Sequence, residues 1–242
     1  MSAQDSLPPV AILCGGMATR LKPISDTIPK ALVEVCGRPF IHYQLEEVRR
    51  QQISHVVLCV GHKGEMIEEA VGDGRSFGLH VQYSYDGDVA LGTGGALVKG
   101  MQFLGQDFFV LYGDAYLQVD YQKAYRTFID SGKKGLMTVF HNSGRWDTSN
   151  VWFENQQIRA YSKTDKTPYM RYIDYGLGVL QTAALQAASE SQAFDLAVVY
   201  EQLVREQELA AFEVSERFYE IGSHHGLEEF RTWLSSHPGS TA

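Results

Sequence analysis

The chain has little cysteine and no excess of positive charge. Its three cysteines, Cys14, Cys36 and Cys59, are odd in number and form no C-x-x-C pair, which argues against a disulfide framework or a zinc centre. They read instead as small buried hydrophobes. Lys and Arg number 21 against 29 Asp and Glu, a formal net charge of −8, whereas a nucleic-acid or anionic-membrane surface needs the opposite balance. No apolar run approaches the roughly 18 residues that span a bilayer. The opening "MSAQDSLPPV" has neither a basic n-region nor an apolar h-region, so it does not read as a signal peptide. A cytoplasmic protein with no nucleic-acid or membrane partner is expected. Two glycine motifs are also absent: neither G-x-x-x-x-G-K-[ST] nor G-x-G-x-x-G occurs in the first glycine turn, which disfavours P-loop kinases and NAD enzymes.

What is present suits one large α/β domain. With 242 residues, 44% hydrophobic, the chain can bury a substantial core. It shows no internal repeat and no linker, so residues 1–242 are expected to form a single domain with 1–8 and 236–242 frayed. Strand-like runs at 10–14, 55–60, 80–86 and 107–114 alternate with helical patterns at 39–52, 63–71, 94–104 and 121–131, the signature of a parallel sheet covered by helices. In the first of these helices, 39–52, Ile41, Leu45 and Val48 recur at i, i+4 and i+7 behind Pro39. From Gly135 onward strands dominate (135–140, 150–155, 157–163 and 172–180), which predicts antiparallel additions to the sheet. A helical segment at 195–208, a strand pair within 210–223 and a closing helix through Phe230 and Leu234 follow.

Strand one runs directly into "CGGMATRLKP" (14–23). In open α/β sheets, ligands bind beyond the carboxyl ends of the strands. Glycines there let backbone N–H groups approach closely, and Arg20, Lys22 and Lys30 around one glycine loop form a basic cluster of polyphosphate size. Asp114 ends a strand at the same sheet edge, where a carboxylate can take a metal ion or cap the next turn.

These pieces together resemble the sugar-phosphate nucleotidyltransferases, whose signature is roughly L-x-G-G-x-G-T-R-L-x-P followed by P-K-x-x-x-x-V-x-G-x-P. The chain carries "LCGGMATRLKP" and "PKALVEVCGRP", and the likeness continues through "LGTGGAL" (91–97), "LYGDAY" (111–116), "AYSK" (160–163), "YIDYGLGVL" (172–180) and "RFYEIGS" (217–223). Within the family the chain looks most like guanylyltransferases acting on heptose 1-phosphate, then like hexose 1-phosphate nucleotidyltransferases. The resemblance implies a Rossmann-like, GT-A-like three-layer α/β/α fold with a mixed, mostly parallel central sheet. It implies Mg2+-dependent transfer of a nucleotidyl group from an NTP, GTP in this subfamily, to a sugar 1-phosphate, with pyrophosphate released. The product would serve a surface polysaccharide or glycoconjugate. Carried onto this chain, it assigns Arg20 and Lys30 to catalysis and Leu13, Gly15, Gly16, Thr19, Gly92, Thr93, Gly94 and Gly113 to the nucleotide. Lys163, Asp174 and Gly178 fall to the sugar phosphate, and Asp114 and Glu220 to the metal. A homo-oligomer is compatible with it.

Several positions depart from the pattern. Ala18 stands at a glycine position, Ser162 replaces a Glu before the lysine, Glu220 replaces an Asp, and Asp174 stands where Asn is frequent. The cluster Arg145, Trp146, Asp147 and Asn150 suits sugar hydroxyls and marks a further acceptor candidate. Two rivals follow from the same residues: a CTP- or UTP-dependent transferase with a non-sugar phosphorylated acceptor, and a non-catalytic nucleotide-sugar sensor.

Overall fold

The computed structural model describes residues 7–16, 19–185 and 193–237. The expected frayed ends fall mostly outside the described residues. Leu7, however, packs half-buried against the core, and residue 236 closes the last helix.

The strands are β1 (Val10–Leu13), β2 (Glu34–Val35), β3 (Arg38–Pro39), β4 (His55–Val60), β5 (His80–Tyr85), β6 (Asp107–Tyr112), β7 (Ala115–Tyr116), β8 (Gly135–His141), β9 (Val151–Glu154), β10 (Gln157–Tyr161), β11 (Tyr172–Gln181), β12 (Leu209–Val214) and β13 (Tyr219–Glu220). The helices are α1 (Ile24–Thr27), α2 (Phe40–Arg50), α3 (Gly64–Val71), α4 (Gly92–Gly100), α5 (Tyr121–Ser131), α6 (Ala197–Arg205) and α7 (His224–Ser236).

Nine strands form one mixed sheet with the path β10-β9-β11-β6-β1-β4-β5, and β8 joins β11 to β12. Strands β5, β4, β1 and β6 are parallel, and β11 runs antiparallel to both β6 and β8, as the loss of helices after residue 135 predicted. The strand pair expected within 210–223 is a correction. Strand β12 pairs with β8 in parallel, and β13 pairs with β7 in a separate two-stranded ladder. The segment between them turns away from the sheet edge to reach the carboxyl end of β6.

Period-two alternation splits the core into two faces. Val10 and Ile12 face α2, α3 and α5 with Ile41, Ile67 and Phe128, while Ala11 and Val57 face α4 and α6 with Leu97 and Tyr200. The α/β/α layering and the mixed, mostly parallel sheet are those expected. Cys14 and Cys59 are buried as expected, and burial raises the Cys14 thiol to about 12. Cys36 is exposed instead: it lies in the turn between β2 and β3, where no core reaches it. Among the described residues no helix is long and apolar enough to cross a membrane.

A third apolar cluster holds α7 to α2 and to the small β2–β3 and β7–β13 ladders. The Phe230 ring sits 5.6 Å from Phe40, 5.8 Å from Tyr43 and 4.9 Å from Tyr116. Phe230→Ala is expected to lower unfolding free energy by about 3–5 kcal/mol, the usual cost of emptying a buried aromatic site. A urea melt checks it.

Candidate active site

The site is built where β1 and β6 end side by side. Gly113 donates its N–H to the Leu13 carbonyl at 3.1 Å, and a Cβ on Gly113 would stand only 2.5 Å from that oxygen. Only glycine permits the approach, and it delivers Asp114 beside the Gly15–Gly16 turn. The buried Gln44 of α2 then fixes the turn after β6: its Nε2 donates to the carbonyls of Tyr112 at 2.9 Å and Ala115 at 2.8 Å. The sequence reading missed Gln44 because it falls on the buried face of an amphipathic helix, where polarity inside the apolar stripe was the sole clue.

Lys30, on a single 3-10 turn over Lys30–Leu32, donates from Nζ to Asp114 Oδ2 at 2.8 Å. A cleft of about 280 Å³ opens around this pair, and its wall includes Leu13, Gly15, Gly16, Gly92, Thr93 and Gly113. Gly94 lies one residue beyond, inside α4. The side chain of Thr19 and the whole of Ala18 lie outside what is described. Arg20 is exposed, stands off the cleft wall, and forms no ion pair with a described residue. Lys22 turns away to Asp26 at 3.2 Å, so the expected three-residue basic cluster supplies Lys30 alone to the cleft wall. A buried charged wall residue went unpredicted: Asp86, whose carboxylate accepts the Leu91 N–H at 3.3 Å. Burial raises its carboxyl above the ordinary range, against the Leu91 N–H and the Lys99 charge.

Glu220 reaches the same edge through the β7–β13 ladder, where it registers with Ala115. Its Oε1 accepts the Ser223 hydroxyl at 2.6 Å, and its Oε2 accepts the Gly222 N–H. The space above Gly222 is where the charges converge. A Cβ placed there would stand 2.7 Å from Glu220 Oε2, 3.2 Å from Asp114 Oδ2 and 3.5 Å from Lys30 Nζ. Two hard carboxylates side by side suit Mg2+, which takes one or two protein carboxylates and completes its shell with water and phosphate oxygens. No group of three acidic, His or Cys side chains suited to a metal occurs among the described residues.

Beyond Tyr112 lies a second group. The bulge in β11 between Asp174 and Gly178 aims Asp174 inward: Asp174 Oδ1 accepts the Gly176 N–H at 3.1 Å, and its own N–H donates to Asn150 Oδ1 at 2.8 Å. Burial raises the Asp174 carboxyl to about 6, with the Gly176 N–H and the Lys163 charge opposing. Lys163 Nζ donates to Asp195 at 2.8 Å and sits 5.8 Å from the Tyr112 ring centroid. Gly178 packs against α6. It lies within the sheet, and a Cβ there would meet the Tyr200 hydroxyl at 2.3 Å, so packing on Tyr200 requires the glycine. Arg145, Trp146 and Asp147 line an outer cleft of about 790 Å³ with Lys166 and Arg171. Asn150, by contrast, ties that loop to Asp174.

The model of the family described as "Nucleotidyl transferase" matches residues 10–149, the stretch that carries the glycine turn, Lys30 and Asp114. The chain belongs to the nucleotidyl transferase family. Among its relatives, the D-glycero-alpha-D-manno-heptose 1-phosphate guanylyltransferase of Campylobacter jejuni is 38% identical over 112 residues, 46% of this chain and 50% of the relative. The N-acetylmuramate alpha-1-phosphate uridylyltransferase of Neisseria meningitidis is 33% identical over 117 residues, 48% of this chain and 51% of the relative. The chain thus spans about half the length of each of these relatives. The crystal structure of HddC from Yersinia pseudotuberculosis complexed with GMP-PN superposes with a TM-score of 0.75 at 23% identity, covering 94% of this chain and 100% of that one. At that identity the likeness shows the fold.

Two outcomes follow from these contacts. Gln44→Leu leaves the buried Tyr112 and Ala115 carbonyls without their donor, and a thermal melt is expected to show a loss of about 1–3 kcal/mol. Asp174 binds its proton more tightly folded than unfolded, since its pKa rises from 3.8 to about 6. The resulting penalty is absent below about pH 4, grows as pH rises, and is complete above about pH 6. Asp174→Asn is therefore expected to stabilise the fold by about 3 kcal/mol at pH 7.5 and by almost nothing at pH 3.5, read from melts at both pH values.

Proposed function

We propose that the chain transfers a nucleotidyl group from GTP to a sugar 1-phosphate, giving an NDP-sugar and pyrophosphate with Mg2+ required. The observation that carries this reading is the cleft at the joined ends of β1 and β6, with the Lys30–Asp114 pair on one side of Tyr112 and Lys163 with Asp174 on the other. Two anionic substrates have cations waiting at separate stations, and the reaction needs them brought together in line.

In this reading the N–H groups of the Gly15–Gly16 turn and the Gly92–Thr93 loop receive the nucleoside. Asp86, buried in the wall, offers an acceptor-only carboxylate to a base edge, which suits the adjacent N1–H and N2–H donors of guanine. Lys30 steadies the α-phosphate. Arg20, exposed and unengaged by described residues, is free to swing onto the β- and γ-phosphates as a planar fork. Lys163 orients the acceptor phosphate, and Asp174 accepts from a sugar hydroxyl. An acceptor phosphate oxygen forms the new bond to the α-phosphorus as the bond to the bridging oxygen breaks, and that electron pair leaves with pyrophosphate. No protein base is needed, because the acceptor phosphate is already ionised near neutral pH. Asp114 and Glu220 would hold Mg2+, which supplies neutralisation of charge on the phosphates. Dependence on an NTP pool supports a cytoplasmic setting, and the relatives' sugar phosphates support a role in surface polysaccharide or glycoconjugate supply.

Pyrophosphate release is to be measured for the five NTPs against hexose and heptose 1-phosphates, with Mg2+ and with chelator. A metal-dependent GTP pair is expected, and silence across the panel with GTP still bound would favour a sensor. Arg20→Ala and Asp114→Ala are each expected to cut turnover by about a hundredfold or more, the scale of losing a charge-stabilising group. Turnover near wild type in either variant removes that residue from the mechanism.

A further inference from the structure

The loop that opens α4 is bound to a distant segment. Phe194 donates its N–H to the Leu91 carbonyl at 2.9 Å, Gly94 donates its N–H to the Phe194 carbonyl at 3.0 Å, and Leu196 donates its N–H to Thr93 Oγ1 at 2.8 Å. The fit leaves no slack. A Cβ on Gly92 would stand 2.6 Å from the Phe194 carbonyl oxygen, and one on Gly94 would stand 2.1 Å from the Phe194 ring. These glycines, expected from the sequence to admit a nucleotide, are required at least as much by Phe194.

Between the two clamped residues stands Asp195. Its Oδ1 accepts the Ala197 N–H at 2.8 Å, at the start of α6. Both carboxylate oxygens accept from Lys163 Nζ, at 2.8 and 3.0 Å. Lys163 is therefore held from the nucleotide side of the site, across 32 residues of sequence, by a carboxylate whose two neighbours are hydrogen-bonded to the 91–94 loop, of which Gly92 and Thr93 line the cleft. The ion pair is about half-exposed, with side chains 40% and 50% accessible. By itself such a pair contributes little to stability. Its geometric effect is larger, since it selects one position from the many that a four-carbon lysine stem samples.

We propose that Asp195 is a positioning residue that couples the nucleotide loop to Lys163, so that a filled nucleotide cleft raises the affinity of Lys163 for an anionic acceptor. The inference rests on the reading of the cleft and of Lys163 given above. A nucleotide seated against Gly92 and Thr93 stills the 91–94 loop, the three hydrogen bonds still residues 194–196, and Lys163 pays less ordering entropy when the acceptor phosphate arrives. By linkage the acceptor tightens the nucleotide by the same factor.

The test uses inorganic phosphate as the acceptor-phosphate probe and leaves turnover aside. Protection of Lys163 from an amine-acylating reagent is followed by peptide mass spectrometry as phosphate is titrated, with and without guanosine 5′-(β,γ-imido)triphosphate and Mg2+. In the wild type the analogue is expected to lower the half-protecting phosphate concentration by about tenfold, a typical coupling. In Asp195→Asn, which keeps an oxygen for the Ala197 N–H, the analogue is expected to change it by less than about twofold. Asp195→Ser serves as a second variant with the same retained cap. Equal analogue effects in wild type and variants overturn the coupling, as does wild-type Lys163 that phosphate fails to protect. Direct titration of the analogue separates the readings: no binding to wild type overturns the cleft assignment together with the inference, whereas binding without an Asp195-dependent shift overturns the inference alone.

Discussion

The close approach of β6 to β1 at Gly113 sets the geometry on which the site depends. Parallel strands carry their loops to one edge, but loops at one edge need not meet. Here a glycine N–H bonded to the Leu13 carbonyl, with no Cβ to hold the chains apart, brings a carboxylate and a glycine turn into one wall. Gln44 completes the arrangement by binding the carbonyls on both sides of Asp114. A carboxylate held between two tied backbone groups cannot drift, and Lys30 meets it without having to order it.

The remaining charged groups reach this edge by routes that share no local sequence. Glu220 arrives on a two-residue strand supported by the aromatic packing of α7 on Phe40 and Tyr116. Asp174 is aimed by a bulge, and Lys163 is held by Asp195. Each route costs something: Asp174 is ionised against its surroundings, and the carboxylates of Asp114 and Glu220 face one small space. Like charges in such proximity are a liability in an empty protein and an asset where a cation or a cationic side chain stands between them.

The central strands and helices were legible in the sequence. The run 55–60 is β4, and 121–131 is α5, because buried parallel strands read as continuous apolar runs and their covering helices keep a 3.6-residue period. The glycine turn, Lys30 and Asp114 were legible too, because a strand end is a local feature and the topology gathers strand ends on one edge. Lys22 reads as a member of the same site and is placed on Asp26, while Gly178, read as part of the acceptor side, packs beneath Tyr200. A cationic residue or a glycine has the same local appearance in either role.

By itself, then, the sequence determined the alternation of elements, the two-faced core and the chemistry available at the carboxyl edge, since these follow from periodicity and residue type along short stretches. Only the tertiary structure decided that Asp86 enters the cleft wall, that Gln44 fixes the Asp114 turn, and that Asp195 holds Lys163. Those contacts join residues tens of positions apart. Whether a polar side chain becomes a wall, a brace or a solvated bystander depends on which backbone groups the packed layers leave beside it.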